Sequence, residues 1–406
     1  MKSIWKKSFA VMVAALCVFS AVACGKGAND DDDEDWLPGA SHTHVYNPYM
    51  TKKQPTCTQK GENLLKCSCG KTRTEEVGRI AHDMSDGVCE VCGAEESKGL
   101  RLVLADGGDY YRVAGLGSCT DRDVIIPVQK NNKPVCEIAP YAFSGASDKN
   151  CRNITSINIP DTINLIGASA FDQCESLSGI IVDQDNYEYC SVREDLYTKD
   201  MRIIVRYAIG KTDTSVSFDE DMIEIGRAAF AGSKYLTNVK VPDYIETIGE
   251  RAFSGCDVLE SVTIGKGVTT IGSAPFASCD VLTDIAVDGK NSAYQSLDGC
   301  LYSKDGSILL QYAIGRMDET LIVPEGVTII GESVASDCRN LKRVEFPVSL
   351  TEIQRQAFSS TTVTTVTFAG TKSQWAQIMN KAKGNNWSYQ IGAVYVVCSD
   401  GNGNLS

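Results

Sequence analysis

One short phrase returns at a fixed interval and constrains this chain more than any other feature. Ile225-Gly226 leads to Phe230, Ile248-Gly249 to Phe253, and Ile271-Gly272 to Phe276, a spacing of 23 residues each time. A unit of that size is too small to bury its own apolar face, so units must stack and share a core. The expected fold is a repeat solenoid that grows in one dimension, which also suits a chain of 406 residues.

Within the repeat Asp243 to Thr263 the apolar places are Ile245, Ile248, Phe253, Cys256, Leu259 and Val262, with Ile264 just beyond. The stretch Glu260 to Ile264 alternates polar and apolar, as a strand with one buried face should. Gly249 is expected to permit a turn, and Pro242, which cannot donate to a ladder, to punctuate the coil. Arg251 to Ser254 leaves room for a single helical turn. Stacking should place Phe230, Phe253 and Phe276 in one column and Leu236, Leu259 and Leu282 in another. Each such side chain contributes roughly 1.5–3 kcal/mol once buried. Cysteine is abundant at 17, and Cys174, Cys256, Cys279 and Cys338 each follow a core position by three residues. That placement predicts small buried hydrophobes rather than a disulfide framework.

The phrases Val239-Lys240-Val241-Pro242…Ile248-Gly249…Ala252-Phe253-Ser254-Gly255-Cys256 and Val262-Thr263-Ile264…Ile271-Gly272…Phe276-Ala277-Ser278-Cys279 resemble the BspA-like leucine-rich-repeat family. The likeness runs from about Leu100 to the C-terminus. It implies a leucine-rich-repeat-type solenoid of short β-strands and single helical turns with caps at both ends. It also implies a secreted or surface-anchored microbial protein that binds host or neighbouring-cell molecules without chemistry of its own.

From the N-terminus, Lys2, Lys6 and Lys7 precede the apolar run Phe9 to Ala23, so residues 1–23 read as a signal peptide. The run ends Ala21-Val22-Ala23-Cys24-Gly25, which resembles a bacterial lipobox with Cys24 as the lipidated first residue. Residues 24–41 carry Asp30 to Asp35, an unbroken acidic block that self-repels and should act as an extended tether.

Residues 42–96 form a separate small module holding all three histidines, His42, His44 and His82, and five cysteines. Cys67-Ser68-Cys69 and Cys89-Glu90-Val91-Cys92 are separated by 19 residues, close to zinc-ribbon spacing. Candidate ligands of one structural zinc are His44, Cys67, Cys69, His82, Cys89 and Cys92. The alternative is two disulfides and an odd thiol drawn from these cysteines and Cys57. A module with so few large apolar side chains needs one staple or the other.

Residues 97–137 read as the N-terminal cap, with a hairpin turning at Asp106-Gly107-Gly108. The solenoid proper is expected over 138–368, with hairpin insertions at 183–215 and 288–320. Both insertions contain one phrase, Asn186…Leu196-Tyr197…Tyr207-Ala208-Ile209-Gly210 and Asn291…Leu301-Tyr302…Tyr312-Ala313-Ile314-Gly315, offset by 105 residues. They look duplicated rather than specialised. Residues 369–406 should form the C-terminal cap, with Thr371 as a helix N-cap and Trp375, Ile378 and Met379 at helical spacing.

No histidine follows His82, which removes serine–histidine and cysteine–histidine nucleophiles from the solenoid, and its acidic residues do not cluster in one loop. A net charge of −13 argues against nucleic acid and against anionic lipid as partner, leaving the lipid anchor as the one expected membrane contact. The expectation is a lipid-anchored bacterial surface protein that binds an extracellular protein or glycan, with a passive surface coat as the alternative and a carbohydrate-active enzyme as a third, less favoured one. Charges and aromatics gathered in a patch would favour binding, and a bland serine–threonine ladder would favour the coat. Outward strand positions are expected at Asn238, Lys240, Thr263, Asp284, Arg343 and Glu345, in rows across one continuous sheet face.

Overall fold

The computed structural model describes residues 44–382 and 395–404. The signal peptide, the acidic tether with Cys24, and part of the C-terminal cap lie outside the described residues. From Leu100 onward the chain is a solenoid whose coils stack through three backbone ladders, and each ladder follows from the residues that form it.

On the first side four-residue strands pair in parallel. Asn238–Val241, Ser261–Ile264 and Asp284–Val287 stand in register, Val239 opposite Val262 opposite Ile285. These strands alternate as read from the sequence, Val239 and Val241 being buried while Asn238 and Lys240 are exposed. On the second side two-residue strands, Glu224–Ile225, Thr247–Ile248 and Thr270–Ile271, continue the same 23-residue register.

The third side holds the stretch expected to make a helical turn, and it is instead a pair of successive turns. The Ala252 N–H donates to Gly249 O (3.3 Å) and the Ser254 N–H to Arg251 O (3.0 Å). Arg251 has φ 55, and its equivalents Ala228, Ala274, Ser333 and Gln356 are also left-handed. A residue in that region cannot continue a right-handed helix. Alternate N–H groups then reach the next coil, Arg251 to Ser273 O, Phe253 to Pro275 O and Gly255 to Ala277 O, at 2.8–3.0 Å. Gly249 itself needs no unusual φ. A Cβ there would sit 2.7 Å from the Arg227 nitrogen and the Gly226 carbonyl carbon, so the glycine lets neighbouring coils approach.

The core lies between the three ladders. Phe230, Phe253 and Phe276 are fully buried and stack at 5.0 and 5.6 Å between ring centroids. Cys174, Cys256, Cys279 and Cys338 are buried free thiols, as their spacing predicts.

Both insertions are three-stranded antiparallel excursions that rejoin the coil. Tyr189–Val192, Asp195–Thr198 and Ile203–Arg206 form the first, and Tyr294–Leu297, Cys300–Ser303 and Ile308–Gln311 the second. Their last strands pair in parallel with Glu224–Ile225 and Ile329–Ile330 on the second side. Each is pinned by a buried asparagine. Asn186 Nδ2 donates to Pro160 O and Ile163 O, while its Oδ1 accepts from the Glu188 and Tyr189 N–H groups. Asn291 repeats the pattern on Gly265, Val268, Ala293 and Tyr294.

The hairpin turns also close the long-strand ladder. The Ile180 N–H donates to Glu194 O and the Ile285 N–H to Gly299 O. The first side is therefore divided into three sheets, with Asp123–Ile125, Ser156–Ile159 and Gly179–Val182 in the first, Asn238 to Val287 in the middle one, and Thr320–Ile322, Arg343–Phe346, Thr365–Phe368 and Tyr395–Cys398 in the C-terminal one.

Further elements cover the two ends of the solenoid. Arg101–Leu104 and Tyr111–Gly115 pair antiparallel around Gly107 and Gly108, both at positive φ. At the other end the helix Lys372–Ala382, α1, starts with a reciprocal cap. Thr371 Oγ1 accepts from the Gln374 N–H and Gln374 Oε1 accepts from the Thr371 N–H. It buries Trp375 against Phe346 and Phe368, at 5.9 and 5.4 Å. Ahead of the solenoid, Tyr46–Lys53, Gly61–Cys67 and Thr72–Val77 form an antiparallel sheet, followed by the small hairpin Met84–Ser85 with Val88–Cys89.

Candidate functional site

Two places carry side chains in excess of what the coil needs: the outward face of the long strands, and the cysteine–histidine clusters of the N-terminal module.

The six outward residues named from the sequence do face away from the core, but they do not share one face. Asn238, Lys240, Thr263 and Asp284 are exposed on the middle sheet. Arg343, exposed, and Glu345, half-buried, belong to the C-terminal sheet. The expected continuous rows are broken because the second hairpin turn takes the edge hydrogen bond of Ile285. The two surfaces also differ in chemistry. The middle sheet presents small polar groups beside the charges of Lys240 and Asp284, with Ser261 Oγ donating to Asn238 Oδ1 at 2.7 Å. On the C-terminal sheet the register places Thr320, Arg343, Thr365 and Tyr395 in one row, and Ile322, Glu345, Thr367 and Val397 in the next. Ile322, 67% exposed, lies beside Glu345, and Tyr395, 45% exposed, lies two strands from Arg343 across Thr365. Neither was singled out from the sequence. Ile322 sits at an outward place in a strand whose apolar run hides which side each residue takes, and Tyr395 joins the sheet only across the cap.

In the N-terminal module the six candidate ligands separate into two groups of three, and Cys57, not among the six, joins one of them. Cys57, His82, Cys89 and Cys92 bring their ligand atoms within 4.8 Å of one another, and His44, Cys67 and Cys69 do the same. In the first group Cys57 Sγ lies 4.0 Å from Cys89 Sγ, and Cys92 Sγ lies 3.4 Å from His82 Nδ1. In the second, Cys69 Sγ lies 3.2 Å from His44 Nδ1. Cys57, Cys89 and His82 are buried, while Cys69 and Cys92 are exposed. Burial pushes the Cys57 thiol up, and the neighbouring Cys92 and Cys89 add to it. Burial also pushes Cys89 up, but the Cys92 N–H, the His82 ring and the Val91 N–H outweigh it and hold that thiol below its ordinary range. The cluster can hold a metal ion, its donor set of thiols and one imidazole being the kind zinc takes. Cys57 belongs to neither close cysteine pair, so spacing could not select it. The Ile80 N–H donates to Thr56 O and brings its loop beside the knuckle.

Arg79 ties this module to the solenoid. Its backbone N–H and its Nε both donate to Glu194 Oε1, at 2.9 and 3.1 Å, and Glu194 is only 3% exposed. Between module and solenoid opens a polar cleft of about 1000 Å³. Two of its lysines are paired within it, Lys211 Nζ with Asp195 at 2.7 Å and Lys60 Nζ with Glu76 at 2.6 Å.

The stacked coils, their three ladders and their capped ends define the leucine-rich-repeat class of solenoid. The profile of the BspA type Leucine rich repeat region matches six copies, over residues 129–193, 203–302 and 317–382. The chain belongs to this family. Among solved structures it is similar to a leucine-rich repeat protein from Eubacterium ventriosum, at 18% identity over 67% of this chain and 71% of that one, with a TM-score of 0.39. It is also similar to a leucine rich cell surface protein from Faecalibacterium prausnitzii (20% identity, 70% and 97% covered, TM-score 0.34). A leucine-rich repeat protein from Bacteroides ovatus gives 22% identity, 67% and 70% covered, and a TM-score of 0.35. A comparison with curated proteins finds no match.

Proposed function

We propose that this chain is a lipid-anchored bacterial surface protein whose solenoid binds an extracellular protein or glycan and carries out no reaction. The observation that carries the reading is the C-terminal sheet, whose outward face presents exposed Ile322, Arg343 and Tyr395 together with half-buried Glu345. Aromatic and arginine side chains among apolar neighbours are what binding hot spots are made of. The face is an open sheet, so a macromolecule suits it better than a small ligand. The middle sheet, whose outward residues Asn238, Lys240, Thr263 and Asp284 are all polar or charged, serves as spacer. Membrane contact is assigned to acyl chains on Cys24 alone, nucleic acid is not expected, and residues 42–96 are read as a zinc-stabilised module.

Purified protein would be applied to arrays of extracellular matrix proteins and of glycans. Saturable binding to one class is expected, and binding no greater than that of a serum protein on every array would overturn the reading. Anchoring is tested separately by mass spectrometry of the native protein, which should begin at an acylated Cys24. Unmodified protein free in the medium would contradict it.

A further inference from the structure

The zinc reading of residues 42–96 concerns six candidate ligands, of which four coordination places can use only some. Resting on that reading, we infer that one zinc ion is held by Cys57, His82, Cys89 and Cys92, with Cys57 as the ligand that closes the site. The geometry supports this set in three ways. First, a tetrahedron with zinc–sulfur bonds of ~2.3 Å has sulfur–sulfur edges of roughly 3.8 Å and slightly shorter sulfur–nitrogen edges. The 4.0 Å between Cys57 and Cys89 Sγ and the 3.4 Å between Cys92 Sγ and His82 Nδ1 are close to those edges. Second, the group holds three sulfurs, so any disulfide within it would leave one thiol facing a buried imidazole. Third, His82 is 6% exposed and its Nε2 is buried with no hydrogen-bond partner among the described residues. The ring's polar contact is therefore the sulfur cluster, through Nδ1.

The other group, His44, Cys67 and Cys69, offers three ligands and is open to solvent at Cys69. A structural zinc site is closed by four protein ligands, so the four-membered group is the one that fits. Its position gives it a mechanical role. It joins the loop at Cys57, the segment at His82 and the knuckle Cys89 to Cys92, three pieces with little apolar packing of their own. His82 lies three residues beyond Arg79, the residue that seats the module on Glu194.

The full chain, expressed with zinc and without chelator, would be assayed for metal content by plasma mass spectrometry. One zinc per chain is expected in the parent protein and in C69S. Affinity measured by chelator competition should fall by more than ~100-fold in C57S. Because C57S could simply unfold the module, Co(II) replacement supplies a second readout. The thiolate charge-transfer band should correspond to three sulfurs in the parent and in C69S, and to two in C57S. Zinc kept by C57S at parental affinity but lost by C69S would overturn this ligand set while leaving the metal reading intact. Absence of zinc from the parent, with alkylation showing oxidised cysteines, would overturn the metal reading itself.

Discussion

Phe253 is fully buried and touches its counterparts above and below, Phe230 and Phe276, at 5.0 and 5.6 Å. Truncation leaves a cavity that neither neighbour can fill without leaving its own coil, so Phe253→Ala should cost ~3–5 kcal/mol, read as a fall in the denaturant midpoint. A loss below ~1 kcal/mol would mean that the column does not carry the core. The thiols beside it are donors as well as filler. Cys256 Sγ donates to Phe230 O at 3.3 Å, Cys279 Sγ to Phe253 O at 3.2 Å and Cys174 Sγ to Phe143 O at 2.8 Å. Burial pushes Cys174 up to about 12 and Cys279 well above its ordinary value. A raised thiol pKa means almost no thiolate at pH 8, so iodoacetamide should leave both unmodified until the protein is denatured. These inward residues were legible in the sequence because the 23-residue period repeats their environment. Cys57, used once and outside any period, was not.

At the scale of the element, the two insertions show what a duplication hides. Their turns occupy equivalent places, Arg193-Glu194 and Asp298-Gly299, all four at positive φ. Asp-Gly is a favoured choice for such a turn, whereas arginine and glutamate are strained in it. The strain at Glu194 is offset by its contact with Arg79, so the first hairpin is a seat for the N-terminal module and the second is not. The expectation that both were unspecialised is corrected here. Comparing the two copies position by position could have shown it. Glu194→Gly should therefore leave the solenoid as stable or slightly more stable, while amide exchange at residues 78–82 speeds up. Unchanged exchange would mean that other contacts seat the module. Asn186 and Asn291 were noted only as parts of a repeated phrase. Replacing Asn186 by alanine leaves Ile163 O without its donor, since Pro160 O keeps the Ile163 N–H, and replacing Asn291 leaves Gly265 O and Val268 O without theirs, at ~1–3 kcal/mol for each buried group left unpaired. Calorimetry should show a correspondingly lower midpoint, and a shift within error would contradict the pinning role.

The whole molecule is one-dimensional in its energetics and divided in its surface. Stacking alone made the solenoid readable from its period, and the caps followed from the need to cover its ends. The division of the outward face was not readable, because it depends on where each hairpin turn lands on a neighbouring strand. That division separates a polar middle sheet from a C-terminal sheet bearing Ile322, Arg343, Glu345 and Tyr395. The most direct test compares two multiple variants for binding to whichever extracellular protein or glycan the arrays identify. One is I322S/R343A/E345A/Y395S, and the other is N238A/K240A/T263A/D284A. Exposed substitutions usually shift stability by only ~0.5 kcal/mol each, so both should fold, which thermal melts would verify. The account predicts that the first variant loses at least tenfold in affinity while the second stays within about twofold of the parent. Retained binding by a folded first variant, with loss in the second, would contradict it.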